Sequence, residues 1–275
     1  MRGVMAARAL REVYSRCPGV VFDAHFGTST GSIVAAIRSA PNPMPPDKII
    51  QWYYNEGPKI FNEPFWHRPG DLVGAKYSTA PLYASLQECI GLHSMSECAV
   101  PFICATVDAD TIRPVWLDQY TPWAAWECAA ASSSAQTYFP AFRKAGVRYI
   151  DGGNFANNPA RHAANWARQK WPNEPIVVIH LGTGVQGDPN PLPEGGILQW
   201  ASRVFGEMSN LQDEEAWRDV GFVPNCIGIR ADVPIPSFPG MDDASKYTLD
   251  AYIGAAESEI ARNPQLWSQI KEALQ

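Results

Sequence analysis

Two hydrophobic rhythms alternate along the 275-residue chain. Val4, Ala7, Leu10 and Tyr14 recur at helical spacing, so the first sixteen residues predict a core helix rather than a transit segment, despite four arginines against one acid. A short apolar run, Val20-Val21-Phe22, leads through His25-Phe26 into a glycine turn, and a helix of small residues is predicted from about Thr30 to Ser39. Four prolines between Pro41 and Pro46 impose an extended connection. Asp47 is then placed to cap a helix carrying Ile49, Ile50, Trp52 and Tyr53. Ser78 or Thr79 followed by Pro81 marks another helix start, with Leu82, Leu86 and Ile90 on one face. Runs of strand length recur at Val100–Val107, Ile112–Leu117, Val147–Ile150, Ile176–His180 and Cys226–Arg230. Helical patterns at Trp123–Ala131, Pro159–Gln169 and from about Ala244 onward separate several of them. This alternation predicts an α/β fold, a mainly parallel central sheet with helices on both faces in three layers. No internal repeat or soft linker divides the chain, so one domain over residues 1–275 is expected.

Composition removes several function classes. Hydrophobic residues make up 46% and charged residues 18%, an ordinary globular balance rather than a disordered one. The net charge of −6, with acids and bases well mixed, argues against nucleic acid as a partner. Six cysteines form no C-x-x-C pair and no cluster with histidine, so neither a metal site nor a cofactor is expected, and buried free thiols in a reducing compartment are the simpler reading. No apolar stretch approaches the roughly 18–20 residues needed to span a bilayer.

The chemistry concentrates at two places. Gly27-Thr28-Ser29-Thr30-Gly31 fits G-x-S-x-G between a strand-like run and an alanine-rich helix, the context in which a sharp turn lifts a serine hydroxyl above a sheet edge. Glycines on both sides are expected to remove colliding side chains, and the following helix turns its positive end toward the hydroxyl. A serine needs a positioned base. None of the five histidines stands in a glycine-rich loop: His25 precedes the elbow, His67 and His93 fall in loop-like segments, His162 sits on a helix and His180 ends a strand. Asp151-Gly152-Gly153, at the end of Val147–Ile150, is the better partner, because α/β sheets place their sites at carboxyl strand ends. Asp108 and Asp110 also follow a strand, but read as turn residues. The aromatic segment from Trp52 to Trp66 fits core packing better than a lipid-facing flap.

Elbow and strand-end Asp-Gly-Gly together resemble the patatin-like phospholipase family, whose members use a serine–aspartate dyad without histidine. Ala131-Ser132-Ser133-Ser134-Ala135 with Thr137-Tyr138-Phe139-Pro140 is similar to the family's A-S-x-A-x-P-x-Y-F-P segment, with Gln136 where proline is usual. Asp151-Gly152-Gly153 with Asn157-Asn158-Pro159 matches D-G-G-x-x-x-N-x-P, and His180-Leu181-Gly182-Thr183-Gly184 is similar to S-L-G-T-G. The resemblance implies a lipid acyl hydrolase with Ser29 as nucleophile, Asp151 as general base and Gly152 and Gly153 supporting the base. Its elbow and oxyanion groups would be Arg2, Gly3, Gly27, Thr30 and Gly31. Substrate would be a lipid ester met at a membrane or micelle surface, from a cytoplasmic, peripheral location. The family's opening strand and D-G-G-G-x-R-G loop have only Met1-Arg2-Gly3 as counterpart here, so a start further upstream is expected. Two alternatives remain: an α/β-hydrolase esterase with a triad through His162 or His180, and a catalytically weak lipid-binding relative.

Overall fold

The computed structural model describes residues 1–62, 75–136, 138–186, 204–235 and 241–275. Phe65, Trp66, His67 and Thr137 lie outside the described residues. Helix α1 (Gly3–Arg16) buries Val4, Ala7 and Leu10, as their spacing predicts, together with Val13, while Tyr14 is half-buried. The apolar run Val20–Phe22 is not a strand; Val21 is 80% exposed, and β1 begins only at His25 and runs to Thr28. Helix α2 (Thr30–Ser39) follows at once, then α3 (Pro46–Ile60) and α4 (Ala80–Ile90). Asp47 does not cap α3: Pro45 holds the cap position, the helix opens on Pro46, and the Asp47 carboxylate pairs with Arg11 at 3.0 Å.

Strands β2 (Phe102–Asp108) and β3 (Arg113–Leu117) form a hairpin, closed by an Asp108 carboxylate that accepts from the N–H groups of Asp110 and Thr111. Asp108 is thus the turn residue that its position suggests. Helix α5 (Ala125–Ser132) leads to a second hairpin, β4 (Phe142–Lys144) and β5 (Val147–Asp151), then to α6 (Gly153–Ala156) and α7 (Ala160–Lys170). The remaining elements are β6 (Ile176–Leu181), β7 (Val185–Gln186), α8 (Val204–Val220), β8 (Cys226–Ala231), β9 (Pro234–Ile235), α9 (Lys246–Arg262) and α10 (Pro264–Ala273).

The result is an α/β fold with a central sheet flanked by helices. In the five-stranded central sheet β1–β2 is parallel, whereas the two hairpins and the β2–β5 contact are antiparallel, so that sheet is mixed rather than mainly parallel; among the described residues β6–β8 and β7–β9 form separate parallel pairs. Side-chain alternation along β6 separates the flanking layers. Ile176 and Val178 pack with Ala160 and Ala164 of α7; Ile179 and Leu181 turn to the opposite face, against Ala9 and Val13 of α1 and Trp267 of α10. The largest apolar cluster lies on the α1 face, where Phe102 and Cys104 meet Ile33, Ile37, Leu86 and Ala129.

One detail of register sets up the site. Along β2, Cys104 to Asp108 pair with β3 on one edge, so β1 and β5 must share the other. Strand β1 runs parallel to β2 and ends with Thr28 opposite Ala105; β5 runs antiparallel and ends with Asp151 opposite Thr106. Two strands distant in sequence therefore meet head to head on one edge, their carboxyl ends one register position apart.

Candidate active site

Ser29 follows β1 with φ 54° and ψ −129°, a left-handed conformation that costs a non-glycine residue roughly 1–3 kcal/mol. It persists because the neighbours hold it. Its N–H donates to Ser132 Oγ at 3.1 Å, and its carbonyl accepts from Ser32 N at 2.9 Å and Ser32 Oγ at 2.6 Å. A Cβ on Gly27 would stand 2.5 Å from the Gly31 carbonyl oxygen, so glycine is obligatory there. On Gly31 a Cβ would meet nothing, which corrects the expectation that both glycines relieve a collision. The N–H groups of Thr30 and Gly31 belong to the first turn of α2 and have no intrahelical partner, leaving them as donors at the positive end of the helix.

The Ser29 hydroxyl donates to Asp151 Oδ2 at 2.6 Å, and Gly153 N donates to Asp151 Oδ1 at 2.7 Å. Burial pushes the Asp151 carboxyl from 3.8 up to about 6, against the opposing pull of those two donors. Gly152 is pressed against β2, where any side chain would overlap the Ala105 carbonyl; its N–H donates to the Ser132 carbonyl at 3.2 Å. Gly3 and Arg2 sit at the amino end of α1. Arg2 lines the same cleft as Ser29, whereas Gly3 packs behind it, where a side chain would strike Tyr53 and Thr30. Tyr53 OH and Thr30 Oγ1 are themselves 2.8 Å apart.

Three of the four described histidines, all but His93, have side-chain company elsewhere. His25 is held neutral by burial, at about 4, and contacts Ser39 Oγ through Nδ1 at 2.9 Å. His162 stacks on Trp116 with ring centroids 3.8 Å apart, and His180 lies 3.6 Å from Asp232. None stands between Ser29 and Asp151, which bond directly. Trp52 and Tyr53 are core residues, and the Trp52 indole donates to Ser85 Oγ at 2.8 Å. Ser132 was not among the expected site residues: it falls in the Ala131–Ala135 segment that resembles the family pattern, but only the fold brings it to Ser29.

A cleft of about 1260 Å³ opens beside Ser29 and extends between β1 and β6. Its direction follows from α7. The Ala156 carbonyl just ahead of that helix accepts from Thr28 Oγ1 at the carboxyl end of β1, whereas His162 and Trp166 further along meet Phe26. Helix α7 therefore descends antiparallel to β1. Among the described residues, β1 bonds only to β2 and β6 only to β8, so each strand presents one unpaired edge. Leu10 and Val13 of α1 and Ala163 and Trp166 of α7 line the cleft, and Met1 and Arg2 lie along it with Ser29.

Fold and site together define an α/β protein with a serine at a sharp strand-to-helix elbow, hydrogen-bonded to a buried aspartate. The chain matches the Patatin-like phospholipase family model over residues 1–164 and belongs to that family, whose members are in general lipid acyl hydrolases. Curated relatives include Patatin-17 of Solanum cardiophyllum, 29% identical over 43% of this chain and 33% of its own length. A Probable inactive patatin-3-Kuras 1 of Solanum tuberosum is 27% identical over 67% of this chain and 59% of its own. Patatin-like protein 2 of Arabidopsis thaliana is 29% identical over 88% and 74%. The chain thus spans a third to three fifths of the first two relatives.

Proposed function

We propose that this chain hydrolyses carboxylic esters of lipids through an acyl-Ser29 intermediate, with Asp151 as general base. The observation that carries the reading is the 2.6 Å bond from the Ser29 hydroxyl to a buried carboxylate, made from a strained elbow. Asp151 takes the hydroxyl proton as Ser29 Oγ attacks the ester carbonyl. It returns that proton to the departing alcohol, leaving the acyl-enzyme. Water then attacks the acyl carbon as Asp151 takes its proton; when the carboxylic acid leaves, Ser29 regains a proton. A carboxylate raised to about 6 is a better base than an ordinary aspartate and is still ionised at neutral pH. Esters, whose alcohols leave more readily than amines, suit such a base.

Oxyanion stabilisation falls to Thr30 and Gly31 N–H at the start of α2, with Arg2 and Gly3 nearby.

Substrate approaches from a lipid surface, the enzyme acting as a peripheral cytoplasmic protein; no described helix is long and apolar enough to cross a membrane. A fluorophosphonate probe followed by peptide mapping tests the reading. Labelling at Ser29, lost in Asp151→Asn, is expected. Labelling elsewhere, or unchanged labelling of the variant, would refute it, and no labelling at all favours a silent lipid-binding relative.

A further inference from the structure

Three consecutive serines close α5, and they do different work. Ser133 and Ser134 turn their hydroxyls back on their own helix, donating to the carbonyls of Ala129 at 2.7 Å and Ala130 at 2.8 Å. Ser132 does not. The carbonyl four residues back belongs to Cys128 and already accepts from the Cys104 thiol at 3.5 Å. The wholly buried Ser132 hydroxyl instead leaves the helix and accepts the Ser29 N–H at 3.1 Å.

The backbone of the same turn holds the other half of the dyad. Asp151 N donates to the Ser134 carbonyl at 3.0 Å, and Gly152 N to the Ser132 carbonyl at 3.2 Å. One residue thus holds Ser29 through its side chain and, through its backbone, the glycine that follows Asp151. Because the Ser29 N–H points at Ser132, it is committed to the scaffold. That bond satisfies a part-buried donor on a residue whose φ is 54°.

We infer that Ser132 is a positioning residue for the reaction, its hydroxyl fixing the strained Ser29 backbone against the turn that carries Asp151. This rests on the dyad reading above and touches no reacting atom. Losing the acceptor lets the elbow relax and moves Ser29 Oγ away from its base. The effect falls on the chemical step, since the residues lining the cleft are untouched.

The test compares Ser132→Ala with Ser85→Ala, which removes another buried, hydrogen-bonded hydroxyl outside the cleft. On a soluble p-nitrophenyl ester, Ser132→Ala is expected to lower kcat about ten- to a hundredfold, the scale of one lost buried hydrogen bond. KM should stay within about threefold, and fluorophosphonate labelling of Ser29 should slow in parallel. Ser85→Ala should lose thermal stability to a similar degree and keep its kcat. Should Ser132→Ala fail to fold, Ser132→Thr, which keeps the hydroxyl, and Ser132→Cys, a weaker acceptor, carry the comparison: Thr must exceed Cys in kcat. The inference is overturned if Ser132→Ala keeps kcat within twofold, if KM absorbs the whole effect, or if Cys equals Thr. A wild-type chain that neither turns over nor labels at Ser29 defeats the dyad reading instead, and is seen before any Ser132 variant is compared.

Discussion

Replacing Asp151 with Asn separates the energetic cost of the base from its use. Burial raises the folded-state carboxyl from 3.8 to about 6. At about 1.36 kcal/mol per unit, the folded protein carries roughly 3 kcal/mol of unfavourable free energy for keeping this group ionised. Because the folded value lies above the unfolded one, the folded state binds the proton more tightly between about pH 4 and pH 6. The group's stabilising contribution is therefore fully present below the unfolded pKa, declines through that window, and is gone above the folded pKa. In Asp151→Asn the new amide is uncharged, still accepts from Gly153 N–H through its oxygen, and can donate to Ser29 Oγ. Urea unfolding followed by tryptophan fluorescence should find the variant more stable than wild type by about 1–3 kcal/mol at pH 8, the gap shrinking toward zero near pH 4. Ester hydrolysis should fall at least about a thousandfold, while wild-type kcat/KM rises with pH through a midpoint near 6. A variant less stable than wild type at pH 8, or a difference independent of pH, would refute the argument that burial holds this carboxylate at a cost.

Two further substitutions probe the same geometry. Gly152→Ala puts a methyl group into the Ala105 carbonyl, so β5 must draw away from β2; activity should be lost and the melting temperature should fall, checked by calorimetry and ester hydrolysis, with near-wild-type kcat counting against the packing argument. His162→Ala removes the stack on Trp116, at about 0.5–1.5 kcal/mol of stability, yet should keep kcat within about threefold; a triad enzyme using this histidine would be silenced.

Local pattern made much of this molecule legible. The face of α1, the start of α4 at Thr79–Pro81, the elbow and the Asp-Gly-Gly at the end of β5 all depend on residues close in sequence, where spacing and turn chemistry act directly. The strand read at Val20–Phe22 failed because an apolar run shows hydrophobicity, not pairing; hydrogen bonding to β2 begins only at His25. Asp47 failed as a cap because Pro46 already starts the helix and Arg11 offers the carboxylate a partner. Strand β4 escaped notice because Phe142–Lys144 is short and polar, and the Ala145–Gly146 turn that folds it onto β5, with φ values of 50° and 84°, carries alanine where asparagine or aspartate would have signalled a hairpin. For Ser132 the family-like segment was legible but the role was not: its partner is 103 residues away.

The dyad itself joins residues 122 apart, so its precision must come from the scaffold rather than from either motif. Thr106 is where the scaffold enforces it. That residue faces Asp151 across the β2–β5 ladder, next to the Ala105 that faces Thr28, and its wholly buried hydroxyl reaches the Ile150 carbonyl at 2.8 Å and the Ala131 carbonyl at 3.2 Å. A single hydroxyl thus ties the strand carrying Asp151 to the helix whose end holds Ser29. Thr106→Val preserves shape but removes the donor, leaving two buried carbonyls less well satisfied at a cost of about 1–3 kcal/mol. If register alone positions the dyad, kcat survives that loss, as it should in Thr248→Val, where an equally buried hydroxyl binds Asp243 beside α9. If the hydroxyl fixes the last residue of β5, kcat falls about tenfold or more with little change in KM. The second outcome is expected, because a sheet ladder sets which residues face each other, whereas a 2.6 Å bond between two strand ends requires those ends to be held.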